Sequence, residues 1–168
     1  MIKFLGKYFR GENLVGCEVG VFRGNNAESI LSLPFVKKLY LVDPYKVYDD
    51  YDDDNMHMIE DAKNLAARRL TRHNSRIQWI YEKFDASLIP ERLDFIYIDG
   101  SHQYHHVMQD IKNAQKCVRL HGLIGGHDYY PKGHPDDRFG VSRAVREYFN
   151  GDVIIAKTKE KCWDWWVL

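Results

Sequence analysis

Short apolar runs alternating with amphipathic stretches most narrow what this chain can become. Leu14-Val15-Gly16-Cys17-Glu18-Val19 is almost wholly apolar and breaks at Gly20, which predicts a strand buried on both faces. Ala27 to Leu33 then reads as helix and stops before Pro34, because the residue preceding a proline is pushed out of the helical region. Further strands are predicted at Leu39 to Val42, Ile77 to Tyr81, Leu93 to Ile98 and Gly122 to Gly126. Between them, Ile59, Ala62, Leu65 and Ala66 recur at helical spacing in the stretch from Met58 to Arg72. Val107, Ile111, Ala114 and Val118 form a second such stripe. Ser142 to Phe149 predicts another helix. Val153 to Ala156 and Cys162 to Leu168 predict a hairpin around the short connection from Lys157 to Lys161.

Strands separated by helices and closed by a hairpin imply one three-layer α/β sandwich spanning 1–168. Its sheet should be mostly parallel and seven-stranded, with an antiparallel C-terminal strand. Length agrees, since 168 residues suit a single core better than two. Lys+Arg and Asp+Glu both number 24, so no overall field favours a polyanion or an anionic membrane. Nucleic acid is therefore not an expected partner, and no apolar run is long enough to span a bilayer. The acidic stretch from Asp49 to Asp54 reads as a solvated loop. Cys17, Cys117 and Cys162 are scattered and odd in number, which argues against a disulfide framework and for a reducing, cytoplasmic setting.

Ligands of such sheets sit beyond the carboxyl ends of the strands, so the residues there carry the functional reading. The first strand runs into Gly20-Val21-Phe22-Arg23-Gly24-Asn25, whose glycines permit tight turning and close approach of backbone to ligand. The second ends in Asp43, about 20 residues on, where an acid can accept both hydroxyls of a ribose. The spacing is not Gly-x-Gly-x-x-Gly, so a dinucleotide pyrophosphate is a second choice to a single nucleoside.

With Glu18, Gly20 and Gly24 in a Glu-x-Gly-x-x-x-Gly pattern, the sequence resembles the class I S-adenosylmethionine-dependent methyltransferases, and in particular their small-molecule O-methyltransferase branch. The resemblance extends to Asp43, to Phe95 through His102, to Gly125-Gly126-His127-Asp128-Tyr129 and to the closing hairpin. It implies a Rossmann-like fold with S-adenosylmethionine held by Glu18, Gly20, Phe22, Gly24, Asn25, Asp43 and Asp99. It also implies that the loop after the third strand, with Phe84 and Asp85, meets the adenine. The methyl group would pass to a hydroxyl, less readily an amine, of a small polar acceptor such as a sugar or catechol-like compound.

In family members resembling catechol and sugar O-methyltransferases, positions matching Asp99, His127 and Asp128 bind magnesium, and that of His102 bears a base. Asp99 and His102 are thus the expected catalytic residues, and Asp99, His127 and Asp128 the expected metal ligands. His127 stands where an oxygen ligand is usual, which shifts the choice from magnesium toward manganese, iron or zinc. The plainer reading gives His102 a helix-capping role and His127 with Asp128 a hydrogen-bonded loop. Trp163, Trp165 and Trp166 are expected to cover a sheet face, and Gly133 to Phe139 reads either as a lid or as a surface loop.

Two alternatives remain open at this level. Cephalosporin hydroxylase-like proteins resemble the same segments, which allows a metal-dependent hydroxylase or hydrolase in the same cleft. A non-catalytic nucleoside-binding module is the other. A homodimer is compatible with either.

Overall fold

The computed structural model describes residues 1–9, 13–46, 56–134, 137, 140–157 and 162–168. In chain order its elements are α1 (Ile2–Tyr8), β1 (Leu14–Val19), α2 (Asn25–Leu31), β2 (Val36–Val42), α3 (Met56–Leu70) and β3 (Ile77–Ile80). They continue with β4 (Leu93–Ile98), α4 (Tyr104–Cys117), β5 (Val118–Tyr129), α5 (Val141–Tyr148), β6 (Ile154–Ala156) and β7 (Trp163–Val167).

The seven strands form one sheet in the order β3-β2-β1-β4-β5-β7-β6. β1 pairs in parallel with β2 and β4, β2 with β3, and β4 with β5. β7 runs antiparallel to both of its neighbours, β5 and β6. The expected α/β sandwich with an antiparallel C-terminal strand is therefore the observed one.

Alternate side chains of each strand enter opposite layers, as the pleat requires. On one face, Leu39, Leu41, Phe95 and Tyr97 pack with Leu5 of α1, Ile30 of α2 and Leu70 of α3. On the other, Cys17, Tyr40 and Ile96 pack with Val107 and Ile111 of α4 and Val145 of α5. Burying one such leucine or isoleucine stabilises the fold by about 1.5–3 kcal/mol, which is why the inner strands read as continuous apolar runs. Adjacent Trp165 and Trp166 are both fully buried, Trp165 in the α4 and α5 layer and Trp166 in the other. The tryptophans thus cover two sheet faces rather than one.

The structure departs from expectation at element boundaries. Helix α1 has no counterpart in the sequence reading; it forms because Leu5 is buried and Phe4 stacks on Trp166 with ring centroids 4.9 Å apart. Val118, expected to close the apolar stripe of α4, instead opens β5, because the helix passes directly into a strand of 12 residues. The helix expected up to Arg72 ends at Leu70 and continues as a tighter turn over Thr71–Arg76. The acidic stretch at positions 49–54 lies outside the described residues, as do 135, 136, 138 and 139 of the expected lid. Among the described residues, no helix is long and apolar enough to cross a membrane.

Candidate active site

Consecutive carboxyl ends of β3, β2, β1, β4 and β5 border a cavity of about 520 Å³. That volume falls within the range of about 300–1,000 Å³ usual for small-ligand sites. Its wall includes Phe84 after β3, Asp43 after β2, Gly20 after β1, Asp99 and His102 after β4, and Asp128 on β5.

The turn after β1 is shaped by Gly20, whose φ of +85° belongs to the left-handed region. A Cβ there would lie 2.1 Å from the Asp99 carbonyl oxygen, so only glycine lets the β1 and β4 turns meet. Gly24 does different work from that expected. It caps α2 at φ +75°, and a Cβ would meet Leu70 and Ala66 of α3 at 3.2 and 3.3 Å, so it serves helix packing and is absent from the cavity wall.

Asp43 locks this turn in place. Its Oδ2 accepts hydrogen bonds from the backbone N–H of Val21 and Phe22, each at 2.9 Å, and its Oδ1 accepts one from Tyr45 at 2.8 Å. Phe22 and Tyr45 both hold positive φ, 47° and 45°, conformations that are strained for aromatic residues and persist only when fixed by their surroundings. The Tyr45 hydroxyl completes the clasp by donating to the Phe22 carbonyl at 2.9 Å. A carboxylate offers about four lone-pair positions, so one remains on Asp43 after the three backbone bonds.

Glu18 lies fully buried beneath this turn, and neither of its carboxylate oxygens has a hydrogen-bond partner. Burial, reinforced by the nearby Asp99 and Asp43, pushes its pKa well above the ordinary carboxylate value. Glu18 itself is absent from the cavity wall, to which the next residues, Val19 and Gly20, contribute. Asn25 and Asn26, from the first turn of α2, line the wall, and Asn26 Nδ2 donates to Asp99 Oδ2 at 3.0 Å.

At the neighbouring strand ends, acids and imidazoles face one another. His102 Nε2 lies 2.9 Å from Asp128 Oδ2, and His127 Nδ1 lies 3.5 Å from the same oxygen and 3.9 Å from Asp99 Oδ1. The chain reaches this geometry through an irregularity in the β5–β7 register between Gly126 and Tyr129, and through a positive φ of 56° at Asp128. Such a bulge re-aims side chains at a strand end, and aspartate tolerates the left-handed region better than most residues.

The electrostatic consequences are strong. Burial raises the Asp99 pKa to about 7, with the Asp128 charge adding to the rise and His127 opposing it. Although burial also works to raise Asp128, hydrogen bonds from His102 and His127 hold it far below the ordinary range. The bond to Asp128 raises the pKa of His102, against the effect of burial. The same partner raises His127 to about 9.

Among the described residues, two sets of side chains could hold a cation, each with ligand atoms within 4.8 Å of one another. One is Asp99, His102 and Asp128; the other is His127, Asp128 and Cys162. The expected trio of Asp99, His127 and Asp128 is thus divided between them. Cys162 was not anticipated; its Sγ lies 3.6 Å from His127 Nε2 because β7 pairs with β5.

Of the other expected residues, Phe22, Asn25 and Phe84 line the cavity, whereas Asp85 does not. Asp85 is exposed and turned onto its own loop, its Oδ1 accepting from Ser87 N at 2.8 Å and Ser87 Oγ at 2.6 Å. His102 caps no helix, because α4 begins at Tyr104 with Gln103 in the capping position. The sequence reading also missed Asp110, which lines the cavity from α4. Its signal was a carboxylate beside Ile111 and one turn from Val107, at the margin of the buried stripe.

An α/β sheet with a ligand-sized cavity across its strand ends belongs to the class of open α/β folds that bind ligands there, and comparison with known proteins narrows it. The chain belongs to a methyltransferase-domain family, whose model matches residues 17–129. An uncharacterized protein of Acanthamoeba polyphaga mimivirus is 26% identical over 136 residues, covering 77% of this chain; the chain spans 58% of that relative's length.

Solved structures share the class I methyltransferase fold. The O-methyltransferase TomG of Streptomyces achromogenes, solved with S-adenosylmethionine, superposes with a TM-score of 0.69 at 14% identity, over 99% of this chain and 77% of its own. An rRNA methylase of Streptococcus thermophilus gives 0.66 at 14% identity, over 98% and 92%. The N-methyltransferase NodS of Bradyrhizobium japonicum gives 0.64 at 16% identity, over 98% and 92%.

Proposed function

We propose that this chain binds S-adenosylmethionine in the cavity and transfers its methyl group to a hydroxyl, less readily an amine, of a small polar acceptor. The observation that carries the reading is the order of groups along one sheet edge. A clasped turn and an unsatisfied buried Glu18 come first, and an acid–imidazole cluster lies directly beside them. When bound, the cofactor supplies an electrophilic methyl group on a sulfonium. Asp43 orients the ribose with its remaining lone pair.

His102 acts as the base. With Nε2–H donating to Asp128, its neutral tautomer leaves Nδ1 to accept the acceptor's proton, and the Asp128 carboxylate stabilises the resulting imidazolium. Alignment of acceptor oxygen and methyl carbon contributes most, up to about 7–11 kcal/mol when geometry is ideal. The balanced charge of the chain, 24 basic against 24 acidic residues, supports a small acceptor over RNA, although an rRNA methylase shares the fold.

Asp99, Asp128 and His102 also fit a divalent cation, magnesium, manganese or another, as an alternative to the base role, since a His102 nitrogen held by the cation would not donate to Asp128. Bound there, it would lower the proton affinity of the acceptor hydroxyl. The test is formation of S-adenosylhomocysteine across a panel of sugars, polyols and catechols, with and without EDTA. Product formation that falls with EDTA and returns with manganese is expected. Tight binding of S-adenosylmethionine with no product from any acceptor would instead favour a nucleoside-binding module.

A further inference from the structure

The carboxylate expected to read the adenine, Asp85, is exposed, hydrogen-bonded to Ser87 and absent from the cavity wall. Phe84 beside it lines the wall with an apolar ring, and that ring alone cannot distinguish one purine from another. On this side of the cavity another acid takes the position. Helix α4 is tied to the loop after β3 by Asn113, whose Nδ2 donates to the Phe84 carbonyl at 3.0 Å. Asp110 lies three residues earlier, on the same helix face, and lines the cavity next to Gln109. It reaches under the turn after β4, where a Cβ built on Gly100 would stand 3.9 Å from Asp110 Oδ2.

We infer that Asp110 is the specificity-determining residue for the base, accepting a hydrogen bond from the exocyclic amino group of adenine while Phe84 packs against the ring. The inference rests on the proposed use of S-adenosylmethionine. The tie between α4 and the loop after β3 supports the placement. Phe84 and Asp110 share one cavity wall with Asp43, so a ribose at Asp43 leaves the base within reach of both. Asp110 has no hydrogen-bond partner among the described residues, and burial raises its pKa to about 7. A donor from the ligand would give this half-buried carboxylate a partner.

Calorimetric titration of the full chain with two ligands tests this: S-adenosylhomocysteine, and its 6-deamino analogue in which purine replaces adenine. The native protein is expected to bind the parent about tenfold tighter or more, the effect of one hydrogen bond to an acidic group. Asp110→Ala should bind the two within about threefold of each other, because contacting groups truncated together do not add. Asp110→Asn, whose amide oxygen still accepts, should keep the preference, and Asp110→Ser replaces the alanine variant if that fails to fold. A preference unchanged in Asp110→Ala, or absent in the native protein, overturns the role of Asp110 while leaving the nucleoside site standing. Binding of neither ligand overturns the methyl-donor reading itself.

Discussion

At the ends of β1 and β2 the acid is bonded to backbone, whereas at the ends of β4 and β5 acids are bonded to other side chains. Asp43 accepts from Val21, Phe22 and Tyr45 N–H groups, partners that cannot titrate. Asp128 accepts from His102 and His127, partners that can. The first arrangement holds a shape, and two aromatic residues at positive φ depend on it. The second holds a proton balance, because each change at one imidazole alters the pKa of its neighbours. A transferase needs both properties, rigid placement of one substrate and movable protons at the other, and here they occupy adjacent strand ends.

The largest effect should come from opening the rigid half. Asp43→Ala strips three backbone donors of their acceptor, and each hydrogen bond to a charged group is worth about 1.5–3 kcal/mol. Affinity for S-adenosylhomocysteine should fall by about 100-fold or more in calorimetry, with a lowered melting temperature. Unchanged affinity would remove the proposed ribose contact and the distinction between the two halves with it.

In the titrating half, His102→Ala should lower turnover by about 10²–10⁴-fold while leaving cofactor affinity within about threefold. The pH profile sharpens the point. A base works in its neutral form, and Asp128 raises the His102 pKa, so the native rate should climb with pH through that raised value. The variant should lose this limb; a limb that persists assigns the proton to another group.

The smallest effect concerns stability. His127 has a folded pKa of about 9 against an ordinary 6.5, so its contribution is fully present below pH 6.5 and is lost as pH rises through 9. His127→Gln should therefore lower the melting temperature at pH 6 by about 2–4 °C per kcal/mol lost, and change it little at pH 10. An equal loss at both pH values would mean that packing, not charge, is what His127 provides.

Much of the fold was legible because each element announces itself locally. The apolar run ending at Gly20, the stripe of Val107, Ile111 and Ala114, and the closing hairpin all read correctly from spacing alone. Helix α1 did not, since its reason for existing is contact with Trp166, about 160 positions away, and no local pattern encodes that. The site divides in the same way. Asp43, Asp99, His102 and Asp128 stood out as polar residues at the ends of apolar strands, a position that already places them at the cavity. Asp85 carried the same signal and was misleading, because Ser87 two residues on offered a nearer partner than any ligand.

By itself the sequence determined which strands are buried, where the chain turns and which acids stand at the strand ends, because hydrophobic period and glycine placement act over a few residues. Tertiary structure alone decided which of those acids met backbone, imidazole or nothing. Asp43 found amides across a turn, Asp128 found two histidines through a bulge, and Glu18 found no hydrogen-bond partner among the described residues. The reason is that a carboxylate's role is set by whatever donors the fold brings within about 3 Å, and those come from distant parts of the chain.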